Sequence, residues 1–238
     1  MSFRGHGFFA MWCSADPAHA AEFDRVHARD HLLAHLAYLG DGAILAARRY
    51  MDGVGTLPPF FMFYDMATLD PLTAPSHRDC KVADSPAFLR VRPYLRDLER
   101  VHCRVVARSG TGLAGFAATY CVRANVADQT TARALDDLAR TLVRRASTTA
   151  VSAGRIDTSL PGRVGQAVTP PAANAPTHVL VVEGSDRGRL AADVRNVSAD
   201  LVALGIADEA PRVAHFSLSH AVDYAELGRM VRPPGITE

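Results

Sequence analysis

Apolar positions along this chain form short unbroken runs and helix-period stripes, in the order run, stripe, run, run, stripe, run, and that order occurs twice. Residues 8–13 (FFAMWC) read as a strand buried on both faces. Asp16-Pro17 then supplies an N-cap and a first-turn proline for a helix expected to end near the glycine stop Gly40-Asp41-Gly42. Residues 43–51 and 59–66 (PFFMFYDM) read as two strands joined by a Gly- and Pro-containing hairpin. Ser85-Pro86 opens a second helix, which Pro93 should kink or split, and residues 101–107 close the half as a strand.

The second half repeats the order. Strands are expected over 113–122, 150–156, 178–183 (HVLVVE) and 213–220 (VAHFSLSH). Helices are expected over 128–146 and after Ser185-Asp186, where Leu190, Val194, Val197, Leu201 and Leu204 keep helical spacing. Between the two central strands, residues 158–176 hold four prolines and two glycines, a connection long enough to act as a lid. FFMFYDMATLDPL in the first half answers HVLVVEGSDRGRL in the second at a spacing of about 115 residues. Each is an apolar strand that ends in an acid ahead of a helix start.

A βαββαβ unit makes a four-stranded antiparallel sheet with both helices on one face. Its other face needs cover, which a second sheet or a second molecule can supply. The expected architecture is therefore α+β. Two tandem ferredoxin-like repeats, residues 1–109 and 110–238, pack their antiparallel sheets into a dimeric α+β barrel, with a homodimer as the expected assembly.

Composition narrows the function classes. The chain has 238 residues, 48% hydrophobic and 21% charged, with a formal net charge of +1. That balance gives no electrostatic footprint for nucleic acid or an anionic membrane. The longest basic cluster, Arg140, Arg144 and Arg145, shares a helix with Asp136 and Asp137 and reads as a solvated face. Cys13, Cys80, Cys103 and Cys121 form no CxxC pair, which fits thiols in a reducing compartment. No apolar stretch reaches the ~20 residues of a membrane span, and the N-terminus lacks signal-peptide organisation. A cytoplasmic protein is expected.

Residues 23–71 carry a resemblance. Val26-His27, Asp30-His31, the Gly40 to Gly42 turn, Arg48-Arg49-Tyr50 and Phe63-Tyr64-Asp65 follow the pattern of EthD-like proteins of the dimeric α+β barrel superfamily. Members of that group often have an aromatic pair, an acid-His dipeptide, an Arg-Arg-Tyr strand and an aromatic strand ending in Tyr-Asp/Glu. Val26-His27 departs from it, standing where the family has aromatics. The resemblance implies the barrel fold and a small-molecule ligand. It does not choose among the monooxygenases, isomerases and haem enzymes that share the fold.

On a regular helix of about 100° per residue, Asp30 falls mid-stripe among Phe23, Val26, Leu33, Ala34 and Ala37. His27, His31 and Tyr38 lie at the stripe's edge and His35 beyond it. A carboxylate there must be paired or face a cavity. One reading makes Asp30 and His31 the catalytic acid/base pair of a pocket, with His27, Trp12, Arg48, Tyr50 and Tyr64 as ligand-binding residues. A second ties Asp30 to Arg48 or Arg49 as an ion pair between helix and sheet. A third makes His27, His31 and His35 a metal face, which would need further ligands from elsewhere. Trp12, Phe60, Met62 and Tyr64 together would suit an apolar or aromatic ligand. The second half has no acid on the matching stripe, so the site is expected in the first.

No GxGxxG, P-loop, GxSxG or HExxH is present, and neither a metal nor a cofactor is implied. The expected function is binding of a small apolar or aromatic molecule, as a catabolic or biosynthetic enzyme or as a binder alone. A non-catalytic dimeric assembly protein and a haem-binding barrel enzyme are the alternatives.

Overall fold

The structure is a computed structural model that describes residues 5–38, 43–73, 85–111, 113–125, 128–160 and 172–223. Eight strands form its sheet: β1 Gly7–Ala15, β2 Ile44–Gly55, β3 Phe60–Met66, β4 Leu95–Gly110, β5 Phe116–Val122, β6 Thr148–Ile156, β7 His178–Gly184 and β8 Arg212–Asp223. The helices are α1 Ala20–Val26, α2 Leu32–Tyr38, α3 Pro86–Val91, α4 Asp128–Leu142, α5 Arg187–Asp193 and α6 Val197–Ala203. Two of the caps read from the sequence are in place, but Asp16 is not one: α1 begins at Ala20 with His19 at its N-cap, and Asp16 Oδ1 accepts from the Ala18 amide at 2.9 Å in the turn before it. Ser85 Oγ accepts from the Phe88 amide at 3.1 Å and Asp186 Oδ1 from the Arg189 amide at 2.8 Å. Pro93 ends α3 in the short 3-10 turn Arg92–Tyr94. The expected glycine stop at 40–42 and most of the 158–176 connection lie outside the described residues. No helix among the described residues is long and apolar enough to cross a membrane.

All strand pairs are antiparallel, and the sheet closes on itself as β1-β3-β2-β8-β5-β7-β6-β4. The first four strands lie in the order β4-β1-β3-β2 and the last four in the order β8-β5-β7-β6. Each run leaves two edges, and the edges of one pair with those of the other: β2 with β8, and β4 with β6. One chain closes the barrel, so the uncovered sheet face that argued for a second copy is covered internally.

Closure gives every strand an inward and an outward face. Inward lie Phe8, Ala10, Trp12, Tyr50, Phe61, Phe63, Val179, Val181 and Phe216, a packed core. Its rings form a chain: Trp12 on Phe61 (5.2 Å between centroids), Phe61 on Phe216 (5.4 Å) and Phe8 on Phe63 (5.1 Å). Gly154 is required where the Phe8 ring crosses the barrel, because a Cβ there would meet that ring at 2.5 Å. Trp12 Nε1 donates to Thr119 Oγ1 at 3.1 Å, linking β1 to β5 across the interior.

Charged residues gather at one end of this interior. Arg48 Nη1 donates to Glu183 Oε1 and Oε2 at 2.8 and 2.7 Å, Tyr50 donates to Glu183 Oε1 at 2.6 Å, and Arg108 grips Asp65 at 3.1 Å. Asp65 also lies 4.0 Å from Arg48. The two strand-ending acids of the repeated pattern thus converge on one guanidinium. Burial pushes the Asp65 carboxyl up, although Arg108 and Arg48 pull it back. Such a cluster is costly to assemble but more costly to break. Glu183→Ala should therefore lower the unfolding free energy by about 3–5 kcal/mol, measured by urea denaturation. The double variant Arg48→Met/Glu183→Leu should recover most of that loss.

Candidate functional site

Outside the barrel, each run of four strands carries its own helical layer. Beneath α1, α2 and α3, the outward residues of β1 are Phe9, Met11 and Cys13, and those of β3 are Met62, Tyr64 and Met66. Between α1 and α2 the helix opens into a π-helical turn, His27–His31. A π turn takes in one residue more than α geometry and sets back everything after it by about 100°. Asp30, Leu33 and Ala34 therefore do not share the buried face of Phe23 and Val26. The buried side chains are instead Phe23, Val26, His27, His31, Leu32 and Leu36. Asp30, expected mid-stripe, is only half-buried, and the polar groups that enter the layer from this helix are the two imidazoles.

Those imidazoles lie among aromatic rings. His31 stacks on Phe88 at 3.5 Å with planes 9° apart, His27 meets the Phe23 ring edge-on at 5.4 Å, and the two imidazoles are 5.2 Å apart. On the sheet below, Phe9 stacks on Tyr64 at 5.0 Å and touches His102 at 5.2 Å, with the Arg100 guanidinium 5.0 Å over its ring. Arg49 enters from β2, its guanidinium 4.8 Å over Phe60 and 5.4 Å over Phe23. Asp24 on α1 is its carboxylate partner, and Arg49 Nη1 also reaches Ser219 Oγ at 3.3 Å. Burial pushes the Cys13 thiol up to about 12 and raises the Tyr64 hydroxyl far above its ordinary value, so both are protonated at neutral pH. Burial works the other way on Arg49, lowering its pKa against the pull of Asp24.

Several sequence expectations are corrected by this geometry. Trp12, Arg48 and Tyr50 lie on the barrel-interior side of the sheet, whereas His27, His31 and Tyr64 lie in the helical layer outside it. Trp12 pairs across with Phe61, not with Phe60, so Trp12 shares no pocket with Phe60, Met62 and Tyr64. The ion pair expected between Asp30 and Arg48 or Arg49 is replaced by Arg48 with Glu183 and Arg49 with Asp24. Among the described residues no group of three or more His, Cys, Asp or Glu side chains could hold a metal ion, and the His35 side chain lies outside them. Sequence reading missed His102, Arg100 and Phe88. The first two alternate on β4 opposite Phe9 and Met11, so a period-two reading of β4 against β1 would have found them.

The helical layer of the second run serves as an internal control. Leu135, Leu138 and Leu142 of α4 pack with Leu190, Val194, Val197 and Leu201 over Ala118, Val122, Val151, Leu180 and Val182. This layer is aliphatic apart from Tyr120, the partly buried Phe116 and the buried His178 at the first residue of β7. Aliphatic packing is thus enough to seat helices on such a sheet. The imidazoles, guanidiniums and rings of the first layer exceed what seating requires.

An open cleft of about 880 Å³ lies elsewhere, between β6, the residues ahead of β7 and the turn at Asp208. Two of its three arginines already face carboxylates: Arg104 lies 2.8 Å from Asp157 and Arg123 lies 3.7 Å from Asp208.

No family model matches the chain, and no curated protein does. Solved structures do. An anthrone oxidase-like protein has a TM-score of 0.63 at 9% identity, over 95% of this chain and 97% of that one. A candidate monooxygenase from Fusobacterium nucleatum has 0.59 at 8% identity, over 92% and 95% of the two chains. Another from Lactobacillus acidophilus has 0.57 at 9%, over 92% and 96%. At these identities the likeness establishes the closed α+β barrel and nothing finer.

If the two helical imidazoles serve a ligand and not the fold, His27→Leu and His31→Leu should leave the unfolding free energy unchanged or raise it by up to ~1 kcal/mol. Chemical denaturation reads this directly. A loss above ~2 kcal/mol from either would mark the imidazoles as structural.

Proposed function

We propose that the chain is a small-molecule enzyme of the EthD-like kind. Its helical layer over β1 and β3 takes a planar aromatic ligand, and its chemistry is that of an oxidase or monooxygenase. The observation that carries this is the contrast between the two helical layers. One is aliphatic. The other brings His27, His31 and His102 together with Phe9, Phe23, Phe88 and Tyr64. Buried imidazoles in an aromatic setting are the groups that stack a flat substrate and move its proton near neutral pH. The solved structures sharing the barrel bear names of the same chemistry, an anthrone oxidase-like protein and two candidate monooxygenases.

In this reading His31 or His27 takes a proton from an acidic C–H or O–H of the bound ring system. Phe88 and Phe23 hold the imidazoles in place, and the closed layer keeps water from the resulting carbanion. Asp30, beside His31 at the half-buried end of the turn, relays the proton to solvent. For an anthrone the balanced reaction consumes one dioxygen, gives the anthraquinone, and releases one water. The same reading takes residues 1–109 and 110–238 as repeats, of which only the first kept the site, in a homodimer whose contact leaves that layer free.

Anthrone is the first substrate to test. Oxygen uptake with the wild-type protein should exceed the buffer rate, and His27→Leu/His31→Leu should lose about 10²-fold or more, the scale of a general base. Uptake at the buffer rate, with no rise in melting temperature from anthrone, would remove the reading.

A further inference from the structure

Arg48 and Arg49 are neighbours on β2 that face opposite sides of the sheet, and they are treated differently. Arg48 points into the barrel, where both oxygens of Glu183 receive it. Arg49 points into the helical layer, its side chain wholly buried, and only Nη1 is engaged, by Asp24 and Ser219. Its Nε and Nη2 are buried with no hydrogen-bond acceptor among the described residues. The rings of Phe60 and Phe23 favour the cation from their faces but accept none of its in-plane N–H groups.

Nε and Nη2 form one edge of the guanidinium, and that edge is the fork that grips a carboxylate or an aromatic oxyanion with two parallel bonds. Leaving it empty in a buried place is costly. Arg48, by contrast, has a dedicated acid on its Nη1 and Asp65 at 4.0 Å from its Nη2. Around Arg49 the neighbouring ionisable groups are Asp24, Cys13 and Tyr64. Asp24 is spent on Nη1 and is partly in water, and the thiol and phenol are protonated.

We propose that the Nε–Nη2 edge of Arg49 holds the anionic oxygen of the ligand, so the ligand class is a planar aromatic carboxylate, phenolate or enolate. This rests on the small-molecule reading of the same layer and adds the ligand's charge to it. The ring system lies against Phe23 and Phe60, with the oxygen on Arg49 and the reacting position toward His27. An enolate formed by proton loss would be stabilised by the same fork.

Two probes of one size separate the possibilities: 2-naphthoate, which is anionic, and 2-acetylnaphthalene, which is neutral. Calorimetry at neutral pH should show the wild-type protein binding naphthoate about 10- to 100-fold more tightly, the range for hydrogen bonds to a charged group. Arg49→Gln should erase that preference while keeping affinity for 2-acetylnaphthalene. Arg49→Lys, which retains the charge but not the fork, should keep only part of it. Asp24→Asn should leave the preference intact, since it removes the Nη1 partner alone. Equal binding of both probes to wild type, or full preference in Arg49→Gln or Arg49→Lys, overturns the assignment of Arg49 and leaves the aromatic site standing. Binding of neither probe overturns both.

Discussion

Edge pairing is the constraint on which the rest of this structure depends. A run of four strands in the order β4-β1-β3-β2 leaves two unpaired edges and one bare sheet face, and neither is tolerated in water. Here a second run from the same chain satisfies both at once, β2 pairing with β8 and β4 with β6. Closure then divides the labour. Everything facing inward must fill a fixed volume, and it does so with interlocked rings and a hydrogen bond across the barrel. Everything facing outward must seat helices, a looser requirement that several kinds of side chain meet. The freedom to build a site therefore lies in the outer layers.

The buried charges follow the same logic. β3 and β7 occupy equivalent places in their runs, and each ends in an acid aimed at the same end of the interior. Both acids approach Arg48, one at hydrogen-bonding distance and the other at 4.0 Å. A cluster of this kind adds little net stability over an apolar core. It does penalise any register slip of β2 against β8, because a slip of one residue turns Arg48 out of the barrel and strands Glu183.

Much of this was legible in the chain itself. Element order, the caps at Ser85 and Asp186, the split at Pro93 and the acid-ended strands all follow from local patterns, because each is decided by a few neighbouring residues. Two things were not. The first was helix phase. A regular 100° step puts Asp30 on the core face, and only the π turn, whose extra residue leaves no local signature, puts His31 there instead. The second was strand parity across pairs. Tyr64 and Trp12 both read as pocket-forming aromatics, yet register places Trp12 opposite Phe61 and so on the other side of the sheet from Tyr64. A single strand cannot reveal which of its two faces is which until a partner is known. The charge partners were misread for the same reason, since Glu183 and Arg48 lie 135 residues apart.

The central claim is that ligand binding belongs to the outer layer of the first run and not to its aliphatic counterpart. Side-chain NMR of protein labelled at histidine and at leucine methyls tests it most directly. On addition of 2-naphthoate, the imidazole signals of His27 and His31 should move while the methyls of Leu135, Leu138 and Leu142 stay fixed. Movement of those leucine methyls with still imidazoles would contradict the account.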